Sequence, residues 1–233
     1  MIKLENASVM NLENAIRGAR NPMNSWAKSD SHYDENGNYI LGNNDLDLAQ
    51  RLRKAGSDHR KYLRQIFVSV DILAPLYWWK EMDQYRVAVV SNSCSTMHKI
   101  HSKEFTLDDF SCEDLFNDWD KEEEVIVMGF DDDDDYYNVT YTSLDCMKIV
   151  CEILNHHREK YNETKDKRYW RQMIQLLPSS YNQLRTVTMN YETLVNIYHG
   201  RNRHKLTEWH TFCDWIKSLP YAKELIICED TNA

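Results

Sequence analysis

A short segment in the last third of the chain carries the side chains best suited to binding a ligand. Between Pro178 and His204 it holds two amides, Asn190 and Asn196, followed by Arg201. An arginine guanidinium binds a phosphate or carboxylate through two parallel hydrogen bonds, and an amide offers both donors and acceptors. The segment therefore predicts a site for a phosphorylated ligand that contains a ring.

A second candidate group lies in residues 74–86, where a proline precedes several aromatic and charged residues. Pro75 is typical of the first position of a helix. If the stretch is helical, Trp79, Asp83 and Arg86 share one face. Two interpretations are open: Arg86 binds an anion at the helix end, or the helix is amphipathic and buries only its aromatic side chains. Composition alone favours the second.

Cysteine and histidine pairs allow chemical interpretations that their spacing supports weakly. Cys94 and His98 could act as nucleophile and base, but that requires contact in space, and a polar turn is favoured. His98 and His101 have a zinc-ligand spacing, yet no second pair stands at ligand spacing, so no metal is expected. The glycine-rich phosphate loops GxGxxG and GxxxxGK[ST] are missing, which excludes Rossmann and P-loop proteins.

An acidic stretch at 104–135 ends in five consecutive aspartates at 131–135. Neighbouring carboxylates repel one another and favour solvent, so a solvated loop is predicted. Calcium binding is the alternative, but the EF-hand spacing is absent. We therefore expect residues 104–140 to form an acidic loop or insertion.

The composition restricts the kinds of partner that fit this chain. A net charge of −9 over 233 residues argues against broad binding to nucleic acid, although Arg201 and Arg203 lie near three histidines in a locally basic patch. The start of the chain does not look like a signal peptide, and no apolar run approaches the ~18 residues of a membrane span. The six cysteines show no CxxC spacing, which favours reduced thiols. A cytoplasmic location is expected.

Hydrophobic periodicity predicts a helix-rich fold of the α+β (mixed α/β) class, in one domain over residues 1–233. Glycine and proline are scarce, which argues against an all-β protein. Asp45 and Gly56 are the expected N-cap and C′ residues of one helix. Residues 21–44 are expected to form a long loop or small hairpin. Helices are predicted over 8–20, 45–56, 75–82, 143–161, 166–177, 191–199 and 205–218, and strands over 62–73 and 184–189.

The C-terminal segment resembles the signature of the flavin-dependent thymidylate synthases. That family has Leu-Pro, then Thr-x-Asn-x-Arg-x-Leu-x-Asn, then Arg and His. Here Thr188, Asn190, Asn196 and Arg201 fall in register after Leu177-Pro178, as does Leu194. Two positions differ: the arginine after the first asparagine is Glu192, and His204 arrives one residue early. The arginine before Leu-Pro is Ile174, with Arg171 one helical turn away.

Two further segments resemble the family more distantly. The family's Trp-Arg-Gln-x-x-Arg-His-Arg run corresponds to Trp79-Lys80-Glu81 and Gln84-Tyr85-Arg86, which keeps only the last arginine. In the next element Asn92 and Ser95 match, whereas Met97 replaces an arginine. Ser57 and His59 are loose counterparts of a flavin-contacting segment.

The resemblance implies a homotetramer that binds FAD and a dUMP-like nucleotide between subunits. It implies reductive methylation of dUMP to dTMP with methylenetetrahydrofolate and NADPH, or a related pyrimidine nucleotide reaction. The alternative is an inactive nucleotide-binding or structural homologue on the same fold. By the resemblance, the flavin would contact Arg86, Asn190, Asn196, His204 and His59. The nucleotide would contact Glu81, Ser95, Arg171 and Arg201.

Overall fold

The computed structural model describes residues 2–117, 125–130 and 136–228, with side chains described outside 118–140. Its α-helices are α1 (Leu12–Ala19), α2 (Asn43–Lys54), α3 (Leu76–Met82), α4 (Thr96–Lys99), α5 (Ser143–Thr164), α6 (Lys167–Leu176), α7 (Tyr191–Arg201) and α8 (Thr207–Lys217). Its strands are β1 (Lys3–Met10), β2 (His32–Tyr33), β3 (Tyr39–Ile40), β4 (Phe67–Pro75), β5 (Val90–Ser93), β6 (Val125–Phe130), β7 (Tyr136–Tyr141) and β8 (Asn182–Asn190). The predicted class, helix-rich with antiparallel sheet, is confirmed. None of the described helices combines the length and apolar character needed to cross a membrane.

The chain forms two compact units. The sheet unit contains Ile2–Leu73, Trp78–Ser93 and Leu184–Ala233, and the helical unit contains Ala74–Tyr77 and Cys94–Gln183. The prediction of a single domain over 1–233 stays a prediction.

A four-stranded sheet in the order β1-β4-β8-β5 is the centre of the sheet unit. In β4, Val68, Val70 and Ile72 alternate inward and are fully buried, as the period-two pattern predicts. The strand begins later than the predicted 62, because Arg60–Gln65 form a 3₁₀ turn. The edge strand β1 was not predicted, since most of its side chains are exposed and give no alternation.

The ends of α2 show which capping predictions hold. Gly56 has a φ of +104° directly after the last helical turn, which confirms it as the C′ residue. Asp45 is not the N-cap: the helix already begins at Asn43, after Gly42. The Asp30 carboxylate caps the helix instead, because it accepts the backbone amides of Asn44 (2.9 Å) and Asp45 (3.1 Å).

Helix α3 is shorter than its sequence suggests. Pro75 ends β4, and the helix begins one residue later, so the N1 prediction for this proline is wrong. The helix also stops at Met82, and Asp83 and Arg86 lie in the turn that follows. The predicted helical face shared by Trp79, Asp83 and Arg86 therefore does not exist.

The helical unit is built on α5, which was predicted from its apolar stripe, and α6, which was predicted over 166–177 with Pro178 as its stop. Met147, Cys151 and Leu154 of α5 pack with Met173 of α6 in one buried cluster. Helix α6 ends at Leu176, as expected before Pro178. Within the segment predicted as an acidic loop, β6 and β7 form an antiparallel hairpin. The aspartates at 131–135 lie outside the described residues.

Candidate functional site

The Glu81 carboxylate is the meeting point of three other side chains in the sheet unit. Its Oε2 accepts hydrogen bonds from Arg201 Nη1 (2.8 Å) and Trp209 Nε1 (2.9 Å). His204 Nε2 lies 3.3 Å from the same oxygen. Of the predicted site residues, the structure therefore brings together Glu81, Arg201 and His204, which we call the Glu81 cluster.

Two aromatic rings orient the Arg201 guanidinium. Its Nε donates to the Tyr85 hydroxyl (3.0 Å), and its plane lies over the ring of Trp209 at 4.9 Å from the centroid. Only Nη2 has no partner among the described residues. The Arg201 side chain is partly exposed, at 20%. Because this arginine is fixed yet keeps a spare donor, it is ready to bind an anion.

The backbone sets the proton position on His204. Its Nδ1 accepts the amide of Leu206 (3.1 Å), so in the neutral ring the proton is on Nε2. That nitrogen faces Glu81 Oε2 at 3.3 Å. The neutral ring therefore presents its Nε2–H group toward the carboxylate.

Aromatic packing places Glu81 opposite its partners. Trp78 of α3 is fully buried against Trp209 of α8, with ring centroids 4.8 Å apart. Trp209, Phe212 and Ile216 recur at three- and four-residue spacing, so α8 presents one apolar face. The buried rings hold α3 and α8 against each other. Glu81 of α3, which is partly exposed, therefore lies within hydrogen-bond distance of Trp209 Nε1 of α8.

The charge reversal at Glu192 is matched by an arginine elsewhere in the sheet unit. Glu192 Oε1 accepts from Arg60 Nε (3.0 Å) and Nη2 (2.9 Å), while its buried Oε2 has no hydrogen-bond partner within the described part of the chain. Asn190 caps the same helix, since its Oδ1 accepts the amide of Thr193 at 2.9 Å. The side-chain oxygen of Asn190 therefore already accepts a hydrogen bond from its own helix.

The other residues that the resemblance assigns to a flavin are spread over the sheet unit. Arg86 is exposed and lines a small cavity of about 130 Å³ beside Tyr85 and Trp79. His59 lines a cleft of about 700 Å³ whose wall includes Leu52. Asn196 is exposed on α7.

Two residues assigned to the nucleotide belong to the helical unit. Ser95 is the N-cap of α4, and its hydroxyl accepts the amide of His98 at 3.2 Å. Arg171 is exposed on α6. The contact shown for His98 is thus with Ser95 rather than with Cys94. No group of three or more metal-ligating side chains occurs in the part of the chain that the structure describes.

Sequence reasoning missed three contributors to these contacts. Tyr85 appeared only as a departure from the family motif, and Trp209 and Arg60 were not singled out. Trp209 had a signal in the apolar stripe of α8, which marks it as buried. No sequence signal marks Arg60 as the partner of Glu192, because the two residues are 132 positions apart in the chain.

The chain has the fold of the flavin-dependent thymidylate synthases known as ThyX. The structure of ThyX from Helicobacter pylori with FAD and dUMP superposes with a TM-score of 0.64 at 17% identity, covering 97% of both chains. The UMP/dUMP methylase PolB from Streptomyces cacaoi, bound with 5-Br dUMP, has a TM-score of 0.56 at 15% identity over 97% of this chain and 94% of its own. No protein-family model matches the chain. No curated protein is similar enough in sequence to count as a match.

Proposed function

We propose that this chain binds a pyrimidine nucleotide through Arg201 and methylates its ring with the aid of FAD, as a thymidylate synthase-like enzyme. The observation that carries the proposal is the oriented Arg201 guanidinium, which Glu81 and Tyr85 hold while Nη2 has no partner among the described residues. The fold of ThyX and PolB, which are solved with dUMP or its bromo analogue, supports a nucleotide as the ligand.

Each member of the Glu81 cluster has a role in this proposal. Arg201 binds the anionic part of the nucleotide through Nη2, and such a charge-assisted bond contributes about 1.5–3 kcal/mol. Glu81 orients Arg201. His204 holds a proton at Nε2, opposite Glu81 Oε2.

The described residues also fit a flavin. The cleft lined by His59 has a volume of about 700 Å³, which is in the range of cofactor sites, and Leu52 and Tyr62 give it apolar surface for a ring system. His59 and Arg86 are exposed and can contact the cofactor, although Arg86 Nε donates to the carbonyl of Asp83 at 3.4 Å; Asn190 already caps α7. When bound, FAD supplies the hydride transfer. We further propose NADPH and methylenetetrahydrofolate as co-substrates and a homotetramer as the assembly.

A binding protein without methyl transfer is the second candidate. It is favoured by Glu192, which differs from the family pattern, and by Ser95 and Asn190, which match it, because all three side chains have structural partners here. Glu192 pairs with Arg60, and Ser95 and Asn190 cap helices. Each of these contacts occupies a group that a ligand would otherwise use.

The first test is the visible absorbance of protein saturated with FAD and then desalted. A retained band near ~450 nm, which is general for oxidised flavins, is the expected result. Formation of dTMP from dUMP, NADPH and methylenetetrahydrofolate would then establish the reaction. A colourless but folded protein that still binds dUMP would support the second candidate and overturn the first.

The second test is calorimetric binding of dUMP to wild type, Arg201→Gln and the control Arg203→Gln. Arg203 is exposed just beyond the same helix and has no contact in the Glu81 cluster. We expect Arg201→Gln to weaken binding at least about tenfold, because one charge-assisted bond is lost, and Arg203→Gln to leave it within about twofold. Equal affinities for all three proteins would contradict a nucleotide site at Arg201.

A further inference from the structure

A cleft of about 770 Å³ in the sheet unit is lined by three lysines and takes no part in the function proposed above. Lys54 ends α2, Lys217 ends α8, and Lys223 begins the last turn of the described chain. Tyr198 of α7 and Ile227 also line this cleft. We call this cleft the lysine pocket. It shares no residue with the Glu81 cluster.

The lysine pocket carries positive charge in an acidic protein. Its lining has three ammonium groups and one carboxylate, that of Glu224. Lys217 pairs with Asp214 at 2.8 Å, whereas Lys54 and Lys223 have no ion pair among the described residues. Converging like charges raise the local potential and attract an anion, even where the whole chain has a net charge of −9.

The backbone beside the pocket has an unusual, firmly held conformation. Lys223–Ile227 form a π-helical turn, a feature that is frequent at functional sites. Cys228 then adopts a left-handed conformation with a φ of 35°, which is strained for a residue with a Cβ. Arg53 holds this turn by donating to the carbonyls of Leu225 (3.1 Å) and Ile226 (3.2 Å). The wall is therefore fixed independently of the lysines.

We propose that the lysine pocket binds a small molecule that joins a phosphate monoester to an apolar or aromatic body. The lysine ammonium groups are compact charges suited to phosphate oxygens. Tyr198 and Ile227 are both buried in the wall, at 6% and 8% exposed, and both provide surface for the apolar part. The volume accommodates a ligand of that size.

Calorimetric titration with phenyl phosphate at low salt tests the proposal. We expect wild type to bind phenyl phosphate, and the double variant Lys54→Gln/Lys223→Gln to bind it at least about tenfold more weakly. The matched control is Lys148→Gln, which removes an exposed lysine from the helical unit and should change nothing. Phenol, which lacks the phosphate, should not bind.

Two further variants separate this site from others and from damage to the fold. Phenyl phosphate can also occupy the anion site proposed at Arg201, so the titration is repeated in an Arg201→Gln background, where binding to the lysine pocket should remain. Loss of all binding in that background would overturn the proposal. Glu224→Gln removes the acidic residue among the described residues that line the pocket and should strengthen binding about threefold, a gain that misfolding cannot produce. No binding by wild type, or no gain in Glu224→Gln, would also overturn it.

Discussion

Two carboxylates of the sheet unit, Asp45 and Glu81, differ in burial and in how many of their oxygens have hydrogen-bond partners. Asp45 is fully buried, and both of its oxygens are engaged. Its Oδ1 accepts from Arg20 Nε (2.5 Å), and its Oδ2 accepts the hydroxyls of Ser29 and Ser31, each at 2.6 Å. Glu81 is 32% exposed, and Oε2 alone takes all the contacts that the structure shows for this carboxylate.

This difference predicts that Asp45 contributes to stability and Glu81 to ligand binding. Around Asp45 every polar group is satisfied from within the protein, so the contacts have no capacity left for a ligand. Around Glu81 one carboxylate oxygen and one guanidinium nitrogen keep spare capacity at a partly exposed position. Substitutions at the first carboxylate should therefore reduce stability, and substitutions at the second should reduce affinity for ligand.

The largest loss of stability is expected for Asp45→Asn. Removing one partner of a buried ion pair leaves Arg20, which is 4% exposed, with an uncompensated charge. Such losses reach about 3–5 kcal/mol. Urea unfolding measures the change, and Ser31→Ala, which should lose only about 1 kcal/mol, provides a milder variant. A loss below about 1 kcal/mol for Asp45→Asn would contradict the structural role of the pair.

The Asp45 contacts also predict how stability responds to acid. Burial raises the pKa of Asp45, but hydrogen bonds from Ser29, Ser31 and Arg20 outweigh it, so the net pKa is lowered. A lowered folded-state pKa contributes stability that is present above the unfolded value of about 4 and is lost as the pH falls through the folded value. The free energy of unfolding of wild type minus that of Asp45→Asn should be flat from about pH 7 to 5 and shrink below about pH 4. A difference that shrinks above pH 5 would assign the effect to another group.

Glu81→Gln should give the reverse pattern. We expect the free energy of unfolding to fall by about 1 kcal/mol, the contribution of a single exchanged hydrogen bond. The affinity for dUMP should fall about tenfold, because Arg201 loses the partner that orients it. Chemical unfolding and dUMP calorimetry on the same preparation measure both effects. If stability falls as far as in Asp45→Asn while affinity is unchanged, the Glu81 cluster is structural.

Arg60 and Glu192 form an intermediate case that sharpens the comparison. Their side chains are 19% and 11% exposed, and one Glu192 oxygen has no partner. A double-mutant cycle of Arg60→Ala and Glu192→Ala should show a coupling of about 1 kcal/mol, between the values for buried and surface pairs. A coupling near zero would mean that the pair only fills space.

How far the sequence predicts this structure depends on whether a pattern is local. Helix α5 was predicted from one apolar stripe, which comprises Leu144, Met147, Ile149, Val150, Ile153 and Leu154. Strand β8 and helix α7 were predicted from the hydrophobic pattern of residues 184–189 and 191–199. The edge strand β1 escaped because it exposes most of its side chains. Asp45 was wrongly assigned as the N-cap of α2, because the residue that caps this helix, Asp30, lies in a preceding loop.

The candidate site was predictable to a similar degree. The resemblance pointed to Glu81, Arg201 and His204 as site residues, and these three side chains do meet. The assignments of Asn190 and Ser95 to ligands overlooked a simpler local signal. Asparagine and serine directly before a helix are the commonest N-caps, and both residues serve in that way here.

The smallest expected effect belongs to Asp47, which lies two residues from Asp45 and pairs with Arg51 at 2.9 Å on the surface of α2. Both side chains are about two-thirds exposed, at 65% and 68%, so water screens the pair. Such pairs contribute about 0.3–0.5 kcal/mol, and Asp47→Asn should lose no more than that in urea unfolding and nothing in about 1 M salt, where the Debye length is only ~3 Å. Because Asp45 and Asp47 share a helix and a charge, burial is the main difference between them. A similar loss in both variants would show that burial does not explain the strength of the Asp45 pair.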